Sequence, residues 1–271
     1  MNFDIRAGAH LPEGGYLDQI KELNNDQSSW KCEYQKRNLS VYSKPTNASG
    51  VKLFKLQSVF SDIPATVLFD TLMDSEYRPV WDKYMLEGYE LCRIDDNNDV
   101  GYYAVKSFTG IQNRDFVLQR SWLISPSEYI IFSRSVSHKS LPPRPECVRG
   151  VVHLSAYIIR HQGPTSCEFV FLNHCDPRGK LPTWAVNKAT QLAAPRTFKR
   201  LTKACQGYAS WKQSHRPEFK PWLYPEQNTI PLIDWKDVPA LSDVDVSGDV
   251  VDETGALDTS KDDSDAKQNG I

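Results

Sequence analysis

Between Trp30 and Cys175 the sequence keeps falling into short runs with a period of two, each closed by turn chemistry. Side chains alternate faces along a strand, so this rhythm commits the middle of the chain to β-structure. Trp30-Lys-Cys-Glu-Tyr34 alternates, and Leu39-Ser-Val-Tyr42 is short and β-branched. Residues 51–60 alternate again through Val51 and Leu53, with a partial second phase at Phe54 and Leu56. Arg37-Asn38 and Pro45-Thr-Asn-Ala-Ser-Gly50 separate these three runs. Six more follow, near 87–94, 100–107, 115–124, 128–136, 148–160 and 167–175. Asp95-Asp-Asn-Asn-Asp99 and Gly163-Pro164 mark turns among them, and the proline-rich Leu141-Pro-Pro-Arg-Pro145 breaks the series.

Helical spacing brackets and interrupts these strands. Tyr16, Ile20 and Leu23 share one face of a short amphipathic helix over 16–24. Pro64 opens a second helix running to Met73, and Asp74-Ser75 caps a third over 76–85. The last element is a long helix over 182–211, with Pro195 inside it predicting a kink or a break. The expected fold is therefore α+β, with one curved antiparallel sheet of about nine strands and a long C-terminal helix. The expected division is an N-terminal arm over 1–15, a globular domain over 16–212, a Pro/Trp-rich extension over 213–238 packed on it, and an acidic disordered tail over 239–271. The tail holds nine acidic residues and two lysines, a net −7 that leaves the rest of the chain at +5 against −2 overall.

Charge and composition narrow the function. A mildly basic body with an acidic tail is not a nucleic-acid footprint, but it suits contact with anionic membranes. No stretch approaches the roughly 20 apolar residues of a spanning helix. MNFDIRAGAHLPEGG has no apolar core of signal-peptide length, and the six scattered cysteines form no CxxC pair, so a cytoplasmic protein with reduced thiols is expected. No GxSxG, HExxH, P-loop or GxGxxG is present. His174-Cys175-Asp176 looks like a catalytic trio, but neighbours on a strand point to opposite faces. No enzyme, metal or cofactor is expected.

Four stretches in order carry a resemblance: Met73-Asp-Ser-Glu-Tyr-Arg-Pro-Val-Trp-Asp82, Gln112-Asn-Arg-Asp-Phe116, Asp176-Pro-Arg-Gly-Lys-Leu-Pro-Thr-Trp184 and Lys203-Ala-Cys205. Together they resemble the START (StAR-related lipid transfer) domain family, in its phosphatidylcholine-transfer subgroup. Val186-Asn-Lys188, Ala194-Pro195 and Phe219-Lys-Pro-Trp-Leu-Tyr-Pro-Glu-Gln227 extend the likeness, which covers residues 25–230. It implies a helix-grip fold, in which the sheet wraps the last helix around a lipid cavity. A diacyl lipid carries about 30 methylenes at roughly 0.8 kcal/mol each, so exposing both tails would cost on the order of 24 kcal/mol. Enclosure follows from that figure, and the head group is left to set specificity.

The resemblance implies Arg78 as the cation that meets the lipid phosphate. Asp82, four residues on, can orient it; an exposed i,i+4 ion pair is the plainer alternative. The resemblance also implies a quaternary-ammonium cage from Tyr103, Phe116 and Tyr157, with Val105 beside it, because cations favour aromatic faces. Strand parity expects Lys106, Ala104 and Tyr102 on a wet face and Tyr103 inward. For Phe116 parity is ambiguous, since Arg120 shares its phase, and for Tyr157 it leans outward with Arg149, His153 and Ser155. The subgroup has tryptophan at Tyr103 and tyrosine at Phe116, so choline and ethanolamine lipids are both expected as ligands.

On the last helix Lys188, Arg196, Lys199, Arg200 and Lys203 fall within about a third of the wheel and suit a membrane surface. A solvated face of a core helix is the alternative. Loops 107–113 and 137–147 are the expected gates. Ser242 and Ser260 precede acidic residues and fit an acidophilic kinase. The expected function is transfer of one phosphatidylcholine or phosphatidylethanolamine between membranes; a module that senses phospholipid without shuttling it is the alternative.

Overall fold

A computed structural model describes residues 15–26, 28–46, 51–189, 194–234, 238 and 251–258. Helix α1 (Tyr16–Asn25) is followed by strands β1 (Lys31–Lys36), β2 (Leu39–Lys44) and β3 (Leu53–Phe60). Helices α2 (Ala65–Met73) and α3 (Arg78–Trp81) precede β4 (Met85–Asp95), β5 (Asn98–Val105), β6 (Asn113–Ile124) and β7 (Glu128–Ser135). Then come β8 (Cys147–Arg149), β9 (Val151–His161), β10 (Cys167–Asp176), α4 (Thr183–Lys188) and α5 (Ala194–Ser214). The strands form one sheet in the order β1-β2-β3-β10-β9-β7-β6-β5-β4, with every neighbour antiparallel and β8 pairing in parallel with β6.

Several expectations shift in detail. The run over 148–160 is two strands, β8 and β9, parted at Gly150. A Cβ there would lie 2.4 Å from the Phe116 ring, so the aromatic packs where a side chain would otherwise sit. The helix expected over 76–85 lasts one turn. Asp82 leaves helical geometry (φ −84°, ψ 88°), and Met85 already belongs to β4. The long helix is two pieces, α4 and α5, flanking residues 190–193, which lie outside the described residues. Among the described residues no helix is long and apolar enough to cross a membrane.

Both faces of the sheet are covered. On the concave face Leu39, Val41, Leu56, Trp122, Ile131, Ile159 and Phe169 pack against α2 and α5 through Leu68, Leu72, Leu201 and Tyr208. On the opposite face Leu154, Ala156, Ile158, Val170 and Leu172 pack under Ile20 of α1. A third cluster joins Tyr102, Ala104 and Val117 to Leu141 and to Val238 of the extension. The extension is further pinned by Trp222, whose indole N–H donates to Asp70 (2.8 Å) and whose carbonyl accepts from Trp122 Nε1 (3.1 Å). Residues 251–258 also lie on the domain, which corrects the expectation of a wholly disordered tail. Glu253 is buried, and residue 252 bridges to Lys180. Ser242 and Ser260 lie outside the described residues.

Candidate functional site

One helical turn builds the centre of the site. α3 places Arg78 and Asp82 one turn apart, and Arg78 Nε donates to Asp82 Oδ2 at 3.0 Å. Tyr103, reaching over from β5, donates its hydroxyl to the same oxygen at 2.6 Å. Asp82 is buried at 6% exposure, whereas the Arg78 side chain keeps 24%. This corrects the reading of an exposed ion pair, because the acid is shut in and the guanidinium lies over the rings of Trp81 and Tyr103. Burial works against the Arg78 charge, but Tyr103, Tyr157 and Asp82 outweigh it and hold the group above its ordinary range. Burial, aided by Asp82 and opposed by Arg78, pushes the Tyr103 phenol up. Arg78 therefore stays cationic and Tyr103 stays a neutral donor at any physiological pH.

This cluster borders a cavity of about 400 Å³ between the concave sheet face and the helices. Arg78, Asp82, Tyr103, Phe116 and Tyr157 all line it; Val105 does not. The register explains the convergence. Tyr103 pairs with Phe116 across β5 and β6, and Tyr157 pairs with Phe171 across β9 and β10 with their rings stacked at 4.6 Å. Val105 shares the phase of Tyr103 but pairs with Arg114 at the strand end, beyond the cavity wall.

Parity placed Tyr103 correctly for an incomplete reason. Tyr102 and Ala104 do not face water, since the third apolar cluster covers them. For Tyr157 parity misled, because α1 and its apolar strand neighbours cover the other face. Of the polar members of its phase, Ser155 lines the cavity, whereas His153 is exposed and Arg149 pairs with Asp115. The same holds for Phe116, where the companion Arg120 is also a wall residue.

Arg120 belongs to a second charged group that residue patterns missed. Its Nη2 donates to Glu90 at 2.7 Å and to Asp99, and its Nε reaches Asp99 Oδ1 at 3.1 Å. Two carboxylates share one guanidinium. Burial and the neighbouring Glu90 raise the Asp99 pKa to about 6 against the pull of Arg120. The signal was an arginine between Leu118 and Trp122 in an otherwise apolar stretch of its strand phase; its partners lie 21 and 30 positions away on other strands.

The trio at 174–176 separates. His174 contacts His153, with ring centroids 4.6 Å apart, Cys175 lines the cavity, and Asp176 caps the Arg178 amide. Burial, with Asp176 adding to it, pushes the Cys175 thiol up to about 12, so it is no thiolate nucleophile. Of the basic residues on the last helices, Lys199 and Lys203 are exposed, and Arg196 and Arg200 are half-buried. Lys188 is bonded to Asp258 (3.1 Å).

These features, a half-buried cation held by a buried carboxylate beside a cavity, sit on a helix-covered antiparallel sheet that has counterparts in known proteins. The START domain profile matches residues 17–210. This chain belongs to the START domain family. START domain-containing protein 10 of Mus musculus is 38% identical over 229 residues, 84% of this chain and 79% of its own length. Phosphatidylcholine transfer protein of Homo sapiens is 30% identical over 213 residues, 76% of this chain and 98% of its own. The crystal structure of human STARD10 matches with a TM-score of 0.80 and 35% identity, over 88% of this START chain and 97% of that one.

Proposed function

We propose that this START domain encloses a single glycerophospholipid, phosphatidylcholine or phosphatidylethanolamine, and carries it between membranes from the cytoplasmic side. The observation behind this reading is a permanent cation, Arg78, held by a buried carboxylate at the edge of a cavity between the sheet and the helices. A phosphate needs such a fork, and the tails need the enclosure. The names of two relatives, a START domain-containing protein and a phosphatidylcholine transfer protein, point the same way.

The head group sits among Tyr103, Phe116 and Tyr157. Tyr103 presents its ring to Arg78 and its hydroxyl to Asp82. Its oxygen keeps a lone pair that a primary ammonium can use and a trimethylammonium cannot. Both head groups are accepted on this reading. Lys199 and Lys203, with Arg196 and Arg200 beside them, form the face that meets the bilayer, and an acidophilic kinase acts on Ser242 and Ser260.

Mass spectrometry of lipid co-purified with the full chain tests the ligand. Equimolar phosphatidylcholine or phosphatidylethanolamine is the expected result, and sterol or sphingolipid alone overturns it. Movement of labelled lipid between donor and acceptor vesicles tests the carrier role. Binding without movement selects the sensing module.

A further inference from the structure

Composition marks residues 251–258 as part of an acidic tail, yet the Glu253 side chain is only 7% exposed. Its carboxylate takes Arg114 Nη2 at 2.6 Å and the amide of Gln112 at 2.7 Å. Arg114 is itself 4% exposed and bonds the carbonyls of Gln112, Pro177 and Arg178. It lies two residues from Phe116 on the same face of β6, so the pair stands just past the end of the cavity wall.

The same segment ties three elements together. Lys180 and Val251 to Glu253 exchange backbone hydrogen bonds at 2.8 and 3.0 Å beside β10. Gly179 permits this approach. It has φ 72°, and a Cβ there would stand 2.9 Å from the Val251 carbonyl. Trp184 of α4 donates Nε1 to the Ala256 carbonyl at 2.8 Å, and Lys188 of α4 bonds Asp258. Trp184 in turn packs on Phe108 of loop 106–112, 6.0 Å between centroids, and Gly110 of that loop approaches Ala256 and Leu257.

A cation this buried cannot lose its counter-ion without replacement, because an unpaired charge of that kind is strongly unfavourable. The segment can leave only if another anion takes its place. A planar guanidinium fork suits the oxygens of phosphate or carboxylate equally well.

We propose that residues 251–258 are a strap that latches loop 106–112 and α4 across one end of the cavity, released when an anionic lipid head group replaces Glu253 on Arg114. The consequence, gated lipid entry, rests on the carrier reading; the latch itself does not.

Hydrogen exchange on the full chain reads the latch without a ligand. Glu253→Gln should speed exchange at Gln112 and across loop 106–112 and α4 by about tenfold or more, the factor a lost charge-assisted bond implies. Amides in β9 and β10 should keep their protection. Trp184→Phe keeps the charges and removes one bond, so it should act in the same direction and less. Unchanged exchange at Gln112 in both variants overturns the latch. In the wild type, vesicles of phosphatidylcholine with phosphatidylserine should speed the same amides. Equal effects from phosphatidylcholine vesicles alone, or from inorganic phosphate at matched ionic strength, overturn release by a lipid anion. A latch that responds in a chain that moves no lipid would refute the carrier reading alone.

Discussion

Two buried acid–base clusters start within four residues of each other, and they are built differently. Asp74 accepts from the amides of Glu76 and Tyr77, from the Tyr208 hydroxyl at 2.9 Å and from Lys212 at 2.8 Å. Acid and base are 2% and 5% exposed. Every direction is taken, so the cluster is a rivet between the α2–α3 corner and α5. Asp82 is as deeply buried, but its partner Arg78 keeps 24% exposure and borders the cavity. Burial alone does not distinguish a structural pair from a binding one. What distinguishes them is whether the cation still has a face to offer.

Mutations can separate the two. Asp74→Ala leaves Lys212 buried without its anion and should cost about 3–5 kcal/mol of stability. A fall in urea midpoint at constant m checks this, and lipid bound per folded molecule should not change. Arg78→Gln should weaken phospholipid binding by about 2–3 kcal/mol, roughly 30- to 150-fold, because a charge-assisted fork is lost. Titration with phospholipid measures it. The double variant Arg78→Gln/Asp82→Asn should recover stability but not binding, since it removes the stranded carboxylate as well. Equal recovery of both would place Arg78 with the rivet.

The Glu90–Asp99–Arg120 group sharpens the contrast through pH. The folded protein holds Asp99 at a pKa of about 6, above the ordinary carboxylate value of 3.8. The fold therefore favours the protonated acid. Its contribution to stability is complete below the unfolded value and is lost as pH rises through about 6. Thermal melts of the wild type from pH 7 down to pH 5 should gain stability relative to Asp99→Asn, and parallel curves would refute it. The smallest effect concerns the cage. Tyr103→Trp offers a better cation–π face and no hydroxyl, worth about 0.5–1 kcal/mol. It should raise the ratio of phosphatidylcholine to phosphatidylethanolamine in co-purified lipid by a few-fold.

Much of this was legible in the residues. Turn chemistry and period-two runs placed the strands in order, and Pro64, Asp74 and Pro195 located helix boundaries. The i,i+4 spacing of Arg78 and Asp82 survived into a 3.0 Å contact because one helical turn suffices to make it. Parity failed where it assumed that one face of each strand meets water. Here α1, the extension and the helices cover both faces, so Ser155 and Tyr157 of β9 line the cavity although His153 in the same phase is exposed.

Information carried by neighbours a few residues apart thus specified the elements, their order and the Arg78–Asp82 pair, since propensity and periodicity act over a turn or two of chain. The depth of Asp82, the three-charge group at Arg120 and the Arg114–Glu253 bond across 139 positions were decided only by the tertiary path. No local rule links residues so far apart. Their pairing exists because the fold of the sheet brings the strand ends and the tail segment 251–258 to one place, where a buried charge must find its opposite.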